Sequence, residues 1–141
     1  MNRKDLGKIS VIVSTYNRCD ALQVCLLSLF KQTVLPDEVI IGDDGSTEET
    51  ASLIARLQEQ APFPIIHVWH EGKGFRLAMM RNKCVARSTG NYIIEIDGDV
   101  FLHPKLIADH LREAGRGIYV KGGRVNLGKE LTEEICKSGM V

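Results

Sequence analysis

Two aspartates separated by one glycine, Asp97-Gly98-Asp99, are the residues whose types and spacing most directly suggest chemistry. They follow a β-rich run, residues 92–96, and side chains two apart in an extended segment point to the same face. Two carboxylates side by side repel each other unless a cation lies between them. Mg²⁺ is usually held by one or two carboxylates together with the phosphates of its substrate, and Mn²⁺ also prefers oxygen ligands. The spacing therefore predicts a site for Mg²⁺ or Mn²⁺ and a diphosphate, and the alternative is a polar turn after a buried strand.

The overall composition is that of one soluble globular domain over residues 1–141. Hydrophobic residues make up 44% of the chain, and 18 basic residues balance 18 acidic ones, so a basic nucleic-acid binder is not indicated. No apolar run approaches the length of a membrane span, and no signal-peptide pattern is present. The four cysteines show no C-x-x-C spacing, which favours reduced, buried thiols and makes a zinc site unexpected. We expect a cytoplasmic protein, free or peripheral at the inner face of the membrane.

The elements that must position these acids alternate between strands and helices. β-branched runs predict five strands, at residues 8–14, 38–42, 64–69, 92–96 and 117–122, with helices between them and after the last. Asp20, Ser46 and Thr132 are predicted to cap helices, Ser46 in a capping box with Glu49. This alternation predicts an α/β fold with a three-layer, doubly wound, mostly parallel, Rossmann-like sheet.

Polar loops follow four of the predicted strands, at residues 14–18, 43–47, 70–76 and 97–99. In open parallel sheets ligands bind beyond the carboxyl ends of the strands, so we expect these loops to meet at one edge. Neither G-x-G-x-x-G nor G-x-x-x-x-G-K-[ST] occurs in the chain. A phosphate must therefore be held in another way, and a metal together with arginines would do it.

Arg81 falls within the apolar stripe of the predicted helix at residues 76–87. An arginine on a buried face needs an anion or a carboxylate. A ligand contact, a structural salt bridge and a snorkelling side chain all remain open for it. His70 lies in a loop near the predicted site and could contact a ligand, whereas His67 lies within a strand and is expected to be structural.

Four stretches taken together resemble the family 2 glycosyltransferases of the GT-A fold. The stretches are Ser10 to Arg18, Ile41 to Ser46, Arg81-Asn82 and Ile96 to Asp99, within a pattern that covers nearly all of residues 8–125. Residues 74–83 further resemble a bacterial subgroup of chondroitin-polymerase and galactosyltransferase-like modules. The resemblance implies a nucleotide-sugar-binding domain that lacks the acceptor-binding part, with the sheet incomplete at its C-terminus.

The same resemblance implies a metal-dependent, inverting transfer of a sugar from a nucleotide-sugar, expected to be UDP-linked, to a glycan acceptor. It assigns Ser14 and Tyr16 to the nucleoside pocket, Asp44 to the uracil ring, Asp97 to ribose or a metal-bound water, Asp99 to the metal, and Arg76 and Arg81 to the diphosphate. No general base is assigned, since family members carry it in a later segment. The oligomeric state stays open.

Two other functions remain as alternatives. A nucleotidyltransferase also uses paired acids on a similar sheet, but it needs a loop rich in glycine and lysine after the first strand, and residues 14–18 contain neither. A non-catalytic module that binds a nucleotide or nucleotide-sugar, or that acts as a scaffold, is the second alternative, because no base is assigned.

Overall fold

A four-stranded sheet in which every neighbouring pair of strands is parallel forms the centre of the computed structural model, which describes residues 6–139. The strands are β1 (Ile9–Thr15), β2 (Glu38–Asp43), β3 (Ile65–Trp69) and β4 (Tyr92–Asp97). The helices are α1 (Cys19–Phe30), α2 (Glu48–Gln60), α3 (Leu77–Arg87), α4 (Leu106–Glu113) and α5 (Lys129–Ser138). The strand order is β3-β2-β1-β4. The first three strands are therefore added towards one edge of the sheet, and β4 then lies on the other side of β1.

Apolar side chains cover both faces of the sheet. In β1, Val11 and Val13 belong to one core cluster and Ile12 to another, because successive side chains of a strand point to opposite faces. Helices α1, α2 and α4 contribute to the larger cluster, and α3 covers the opposite face through Met80 and Cys84. The predicted α/β fold with helices on both faces of a parallel sheet is thereby confirmed.

The predicted fifth strand at residues 117–122 is wrong, since these residues form an irregular segment in the structure. Ile118 is 59% exposed and Tyr119 is 85% exposed, and the preceding residue, Gly117, has a φ of 71°. A β-rich composition forms a strand only when neighbouring strands and a buried face stabilise it. In this part of the chain the apolar side chains have no such face.

The three predicted helix caps are also wrong. Asp20 lies inside the first turn of α1, Thr47 rather than Ser46 precedes α2, and Gly128 rather than Thr132 precedes α5. The Ser46 hydroxyl is instead used across the fold, where it accepts a hydrogen bond from the Asn17 backbone N–H at 2.8 Å.

A satisfied polar network closes the amino end of the sheet. The Glu38 carboxylate at the start of β2 accepts hydrogen bonds from the Ser10 hydroxyl at 2.6 Å and from the Thr89 backbone N–H at 2.6 Å. The Gly90 N–H donates in turn to the Ser10 hydroxyl at 2.9 Å. This network joins β1, β2 and the segment that leads into β4. Within residues 6–139, no helix combines the length and apolar character needed to cross a membrane.

Candidate functional site

The carboxyl ends of β1 and β4 meet at the center of the candidate site. Ser14 pairs in register with Asp97, and the Gly98 N–H donates to the Ser14 carbonyl at 2.7 Å. A Cβ atom at position 98 would lie 2.7 Å from that carbonyl oxygen, closer than such atoms can approach. The glycine between the two acids is therefore required by the neighbouring backbone, and the ends of the two strands are held together there.

Two arginines hold the Asp97 carboxylate. Arg81 Nη2 lies 3.0 Å from Oδ1, and Arg124 Nη2 lies 2.7 Å from Oδ2. The contact with Arg81 answers the question that the sequence left open, because its guanidinium pairs with a carboxylate of the site itself. Arg124 was not identified from the sequence, and no local pattern marks it, because the two residues of the contact are 27 positions apart in the chain.

Asp99 is the acid left free in this arrangement. Strand β4 ends at Asp97 and the next two residues form a turn, so the expectation that both acids share one strand face does not hold. Asp99 is exposed and makes no hydrogen bond or ion pair within residues 6–139. Burial, followed by the negative charges of Asp99 and Asp97, raises the pKa of the Cys25 thiol to about 12. The Cys25 thiol is therefore protonated and unreactive at neutral pH.

The second acid after β2, Asp44, is buried and fixed at both oxygens. Its Oδ1 lies 2.5 Å from His70 Nε2, and its Oδ2 accepts the Arg76 backbone N–H at 2.9 Å. Burial alone would raise the pKa of this carboxyl, but the hydrogen bonds from His70 and Arg76 outweigh burial and leave the pKa below its usual value. Asp44 is therefore an ionised acceptor at neutral pH.

Two glycines allow the loops after β2 and β3 to touch. Gly45 has a φ of 98°, and a Cβ atom built on it would lie 2.3 Å from the Gly72 Cα. Gly72 has no side chain either, so the two backbones pack directly against each other. This contact fixes the loop that carries His70 and Arg76 next to the end of β2.

The buried side-chain polar atoms without a hydrogen-bond partner, among the residues that the structure describes, all belong to this edge. They are Thr15 Oγ1, Arg76 Nε and Arg81 Nε. Thr15 ends β1 and pairs in register with Asp43, and both arginines touch site acids. Buried polar groups without partners are costly, and two guanidinium donors without acceptors fit an anionic ligand.

The remaining predicted residues lie at the same edge with different exposure. Ser14 is 8% exposed, and its backbone carbonyl accepts the hydrogen bond from the Gly98 N–H. Tyr16, two residues later, is 59% exposed and could offer a ring face to a base. The structure thus brings Ser14 and Arg81 to Asp97 and Arg76 to Asp44, whereas Tyr16 and Asp99 make no hydrogen bond to another predicted site residue in the described chain.

A metal site made by protein side chains alone is not present in the described residues, because no group of three or more His, Cys, Asp and Glu side chains could hold an ion. Mg²⁺ and similar hard cations need fewer protein ligands when substrate phosphates supply the others. One exposed carboxylate, Asp99, beside a second one, Asp97, fits this kind of shared coordination.

Asp43 gives a testable pH dependence at this edge. Burial alone would raise its pKa, but hydrogen bonds from the His67 ring, 2.9 Å away, and from Ser46 outweigh burial and lower it. The stability that this carboxylate contributes is present above its unfolded-state pKa of about 3.9 and is lost as the pH falls through the lower folded-state pKa. In urea unfolding below about pH 5, we expect the free energy of unfolding to fall less steeply for Asp43→Asn than for the unchanged chain. Identical slopes would contradict this assignment.

Comparison with known proteins identifies the family to which the chain is similar. Residues 10–134 match the family profile described as Glycosyl transferase family 2. The chain is 31% identical over 105 residues to chondroitin synthase of Pasteurella multocida strain Pm70, a match that covers 74% of this chain and 11% of the synthase. The chain spans between 10% and 30% of the length of eight curated relatives that it matches.

Solved structures agree on the fold. S. aureus TarS 1-349 in complex with UDP superposes with a TM-score of 0.60 at 26% identity, covering 74% of this chain and 31% of TarS 1-349. The mannosyltransferase PcManGT of Pyrobaculum calidifontis, in complex with GDP-Man and Mn²⁺, has a TM-score of 0.69 at 23% identity, covering 79% of this chain and 33% of its own. The family profile extends over most of the sheet and all four site loops, which confirms the resemblance predicted from the motifs. This chain belongs to glycosyltransferase family 2.

Proposed function

We propose that this chain is the donor-binding part of a metal-dependent, inverting glycosyltransferase, which transfers a sugar from a UDP-linked donor to a glycan acceptor. The observation that carries the proposal is the pair of buried arginine Nε atoms without partners at the edge where the site acids lie. Donors held in place without acceptors are suited to the oxygens of a diphosphate.

The arginines would bind the phosphates from two sides. Arg76 lies at the start of α3 beside Asp44, and Arg81 lies one turn later beside Asp97. Their guanidinium groups would hold the diphosphate and stabilise the negative charge that develops as it departs. Because each guanidinium already has a fixed contact, Arg76 with the Glu71 carbonyl and Arg81 with the Asp97 carboxylate, little ordering is needed on binding.

Asp44 supports a uracil base in particular. The carboxylate is ionised and accepts hydrogen bonds only, so it can receive the N3–H of uracil. Cytosine has no hydrogen on N3 and would place a lone pair against the carboxylate. The exposed ring of Tyr16 would flank the base, and Ser14 would line the nucleoside pocket at the end of β1. The UDP complex of TarS, which shares this fold, is consistent with such a pocket.

Asp99 would hold the divalent cation, Mn²⁺ or Mg²⁺, and Asp97 would contact the ribose or a metal-bound water. When bound, such a cation would neutralise charge on the diphosphate leaving group. Asp97 is paired with Arg81 and Arg124, so the exposed Asp99 carboxylate is the better available ligand.

The direct test is thermal unfolding of the chain with UDP and Mn²⁺. A ligand that binds only the folded state at 100 times its Kd stabilises by about 2.7 kcal/mol, which for a chain of this size is a rise in Tm of roughly 5 to 11 °C. We expect this rise with UDP and Mn²⁺ together and a smaller one with UDP alone. If UDP, CDP, GDP and ADP all leave the Tm unchanged in the presence of Mn²⁺, the proposed function is wrong.

A further inference from the structure

A row of three charged or polar side chains leads from the protein surface to Asp44. The His70 ring is 8% exposed, and its Nε2 lies 2.5 Å from Asp44 Oδ1. On the other side of the ring, Lys83 Nζ lies 3.0 Å from His70 Nδ1. Lys83 belongs to α3 and is exposed, whereas Asp44 is 6% exposed. We call these three residues the Asp44–His70–Lys83 row.

The contacts of the row fix where the protons lie. A lysine ammonium has donors and no acceptor, so Nδ1 of His70 must be the acceptor in its contact with Lys83. The ring proton is then on Nε2, where it donates to Asp44 Oδ1. Lys83 therefore sets the tautomer of His70, and His70 presents a donor to the carboxylate.

This arrangement orients Asp44 as an acceptor. Its Oδ1 accepts a hydrogen bond from the Nε2–H of His70, and its Oδ2 accepts one from the Arg76 backbone N–H at 2.9 Å. An ionised carboxylate has about four positions for accepting hydrogen bonds, so further positions stay available to a ligand. With one donor on each oxygen, the plane of the carboxylate is fixed before any ligand arrives.

The row is not needed to hold the loop in place. The His70 backbone N–H donates to the Asp43 carbonyl at 3.4 Å, and Gly72 packs against the backbone of Gly45. These backbone contacts tie the loop after β3 to the end of β2 without any side chain. The side-chain row adds orientation and charge at Asp44 alone.

We propose that His70 and Lys83 are positioning residues that set the nucleobase specificity of the site by holding Asp44 as an oriented, ionised acceptor. This inference rests on the proposed function, because it takes the ligand to be a nucleoside diphosphate. The site then favours a base with an N–H on its pairing edge, as in uracil, over one with a lone pair there, as in cytosine. A site built around such a hydrogen bond rejects an analogue that lacks it.

The test compares the Kd of UDP, CDP and pyrophosphate by isothermal titration calorimetry in the presence of Mn²⁺. For Lys83→Met and for His70→Leu, we expect the ratio of the CDP Kd to the UDP Kd to fall by about 10-fold or more, which is the loss of one hydrogen bond to a charged group. The Kd of pyrophosphate should change less than about twofold, since pyrophosphate has no base. Lys83→Arg should keep the ratio, because a guanidinium N–H can also donate to Nδ1.

Lys73→Met is the matched control. Lys73 is an exposed lysine of the same loop whose ammonium pairs with Glu71 at 3.0 Å and does not touch His70. Lys73→Met removes the same charge near the site as Lys83→Met does. The ratio of the CDP Kd to the UDP Kd should therefore equal that of the unchanged chain. Lys83→Met changes an exposed residue and keeps the test valid if His70→Leu does not fold.

The outcomes separate the two proposals. If the unchanged chain prefers UDP to CDP and both Lys83→Met and His70→Leu keep that preference, the role of the row is overturned while the proposed function stands. Equal affinity of the unchanged chain for UDP and CDP also overturns it. If Lys83→Met and His70→Leu lose pyrophosphate binding in parallel with UDP binding, the row only supports the loop. This result would also overturn the proposed role of the row in specificity. If no nucleotide binds to the unchanged chain, the proposed function fails and the inference fails with it.

Discussion

Asp99→Ala is expected to lose the cation-dependent part of the rise in Tm that UDP and Mn²⁺ produce together, so that the smaller rise given by UDP alone remains. In the unchanged chain the rise in Tm is roughly 5 to 11 °C at a ligand concentration of 100 times the Kd. The part of that rise that needs the cation depends on Asp99, the one site carboxylate that is exposed and unpaired in the described chain. Without ligand, the variant should unfold within about 0.5 kcal/mol of the unchanged chain, because the substitution is at the surface and breaks no hydrogen bond. Differential scanning fluorimetry with and without Mn²⁺ measures both quantities.

Glu95→Ala provides the matched control for this experiment. Glu95 is an exposed acid of β4, two residues before Asp97. Its substitution removes the same formal charge as Asp99→Ala does. It should keep the full rise. A cation-dependent rise that survives in Asp99→Ala would show that Asp99 does not hold the cation. An equal loss of that rise in Glu95→Ala would show that general negative charge and not Asp99 is responsible.

Gly45→Ala is expected to lower the free energy of unfolding by about 2 to 5 kcal/mol, the sum of a strained backbone and a clash. The backbone of Gly45 has a φ of 98°, a region that residues with a side chain rarely adopt. Its Cβ would also lie 2.3 Å from the Gly72 Cα, which is backbone and cannot rotate away. This is a large part of the 5 to 15 kcal/mol that holds a typical domain, on the order of a third. Urea unfolding measures the change.

Two further glycines separate the two causes. Gly74 has a φ of 77° with no atom within 4 Å of a built Cβ, so Gly74→Ala should cost only the backbone conformation, about 1 kcal/mol. Gly122 has neither a positive φ nor a neighbour within 4 Å, and Gly122→Ala should be neutral. If Gly45→Ala costs no more than Gly74→Ala, the two loops do not pack as closely as described.

The sequence was sufficient for the sheet wherever a strand is buried. The predicted bounds of the four observed strands agree with the structure to within one residue, because runs such as Val11-Ile12-Val13 leave a buried parallel strand as the favourable arrangement. The segment at 117–122 has a similar composition but no packing partner, and composition does not reveal that difference. The predicted Ser46 cap failed for a related reason, since Ser46 uses its hydroxyl in a contact 29 residues away.

The site was predictable as a set of loops but not as a set of contacts. The positions of the strand ends predicted the edge of the sheet at which the site lies, because a parallel sheet brings the carboxyl ends of its strands together. The pairing of Arg124 with Asp97, and the row through His70 and Lys83, depend on side chains distant in sequence, which no local spacing encodes. Asp97 and Asp99 would share one face only if the strand continued through both of them, whereas the chain turns at Gly98.

The amino end of the sheet has a consequence for protein engineering. There the Glu38 carboxylate accepts hydrogen bonds from Ser10 and Thr89, whereas the buried side-chain polar atoms without partners in residues 6–139 belong to the opposite end. Thermostabilising substitutions around Glu38 would therefore alter the resistance of the domain to heat while leaving the ligand edge unchanged. Directed evolution of donor specificity could then begin from a more stable domain. Stabilising substitutions at the amino end of the four strands would offset destabilising substitutions at the ligand edge.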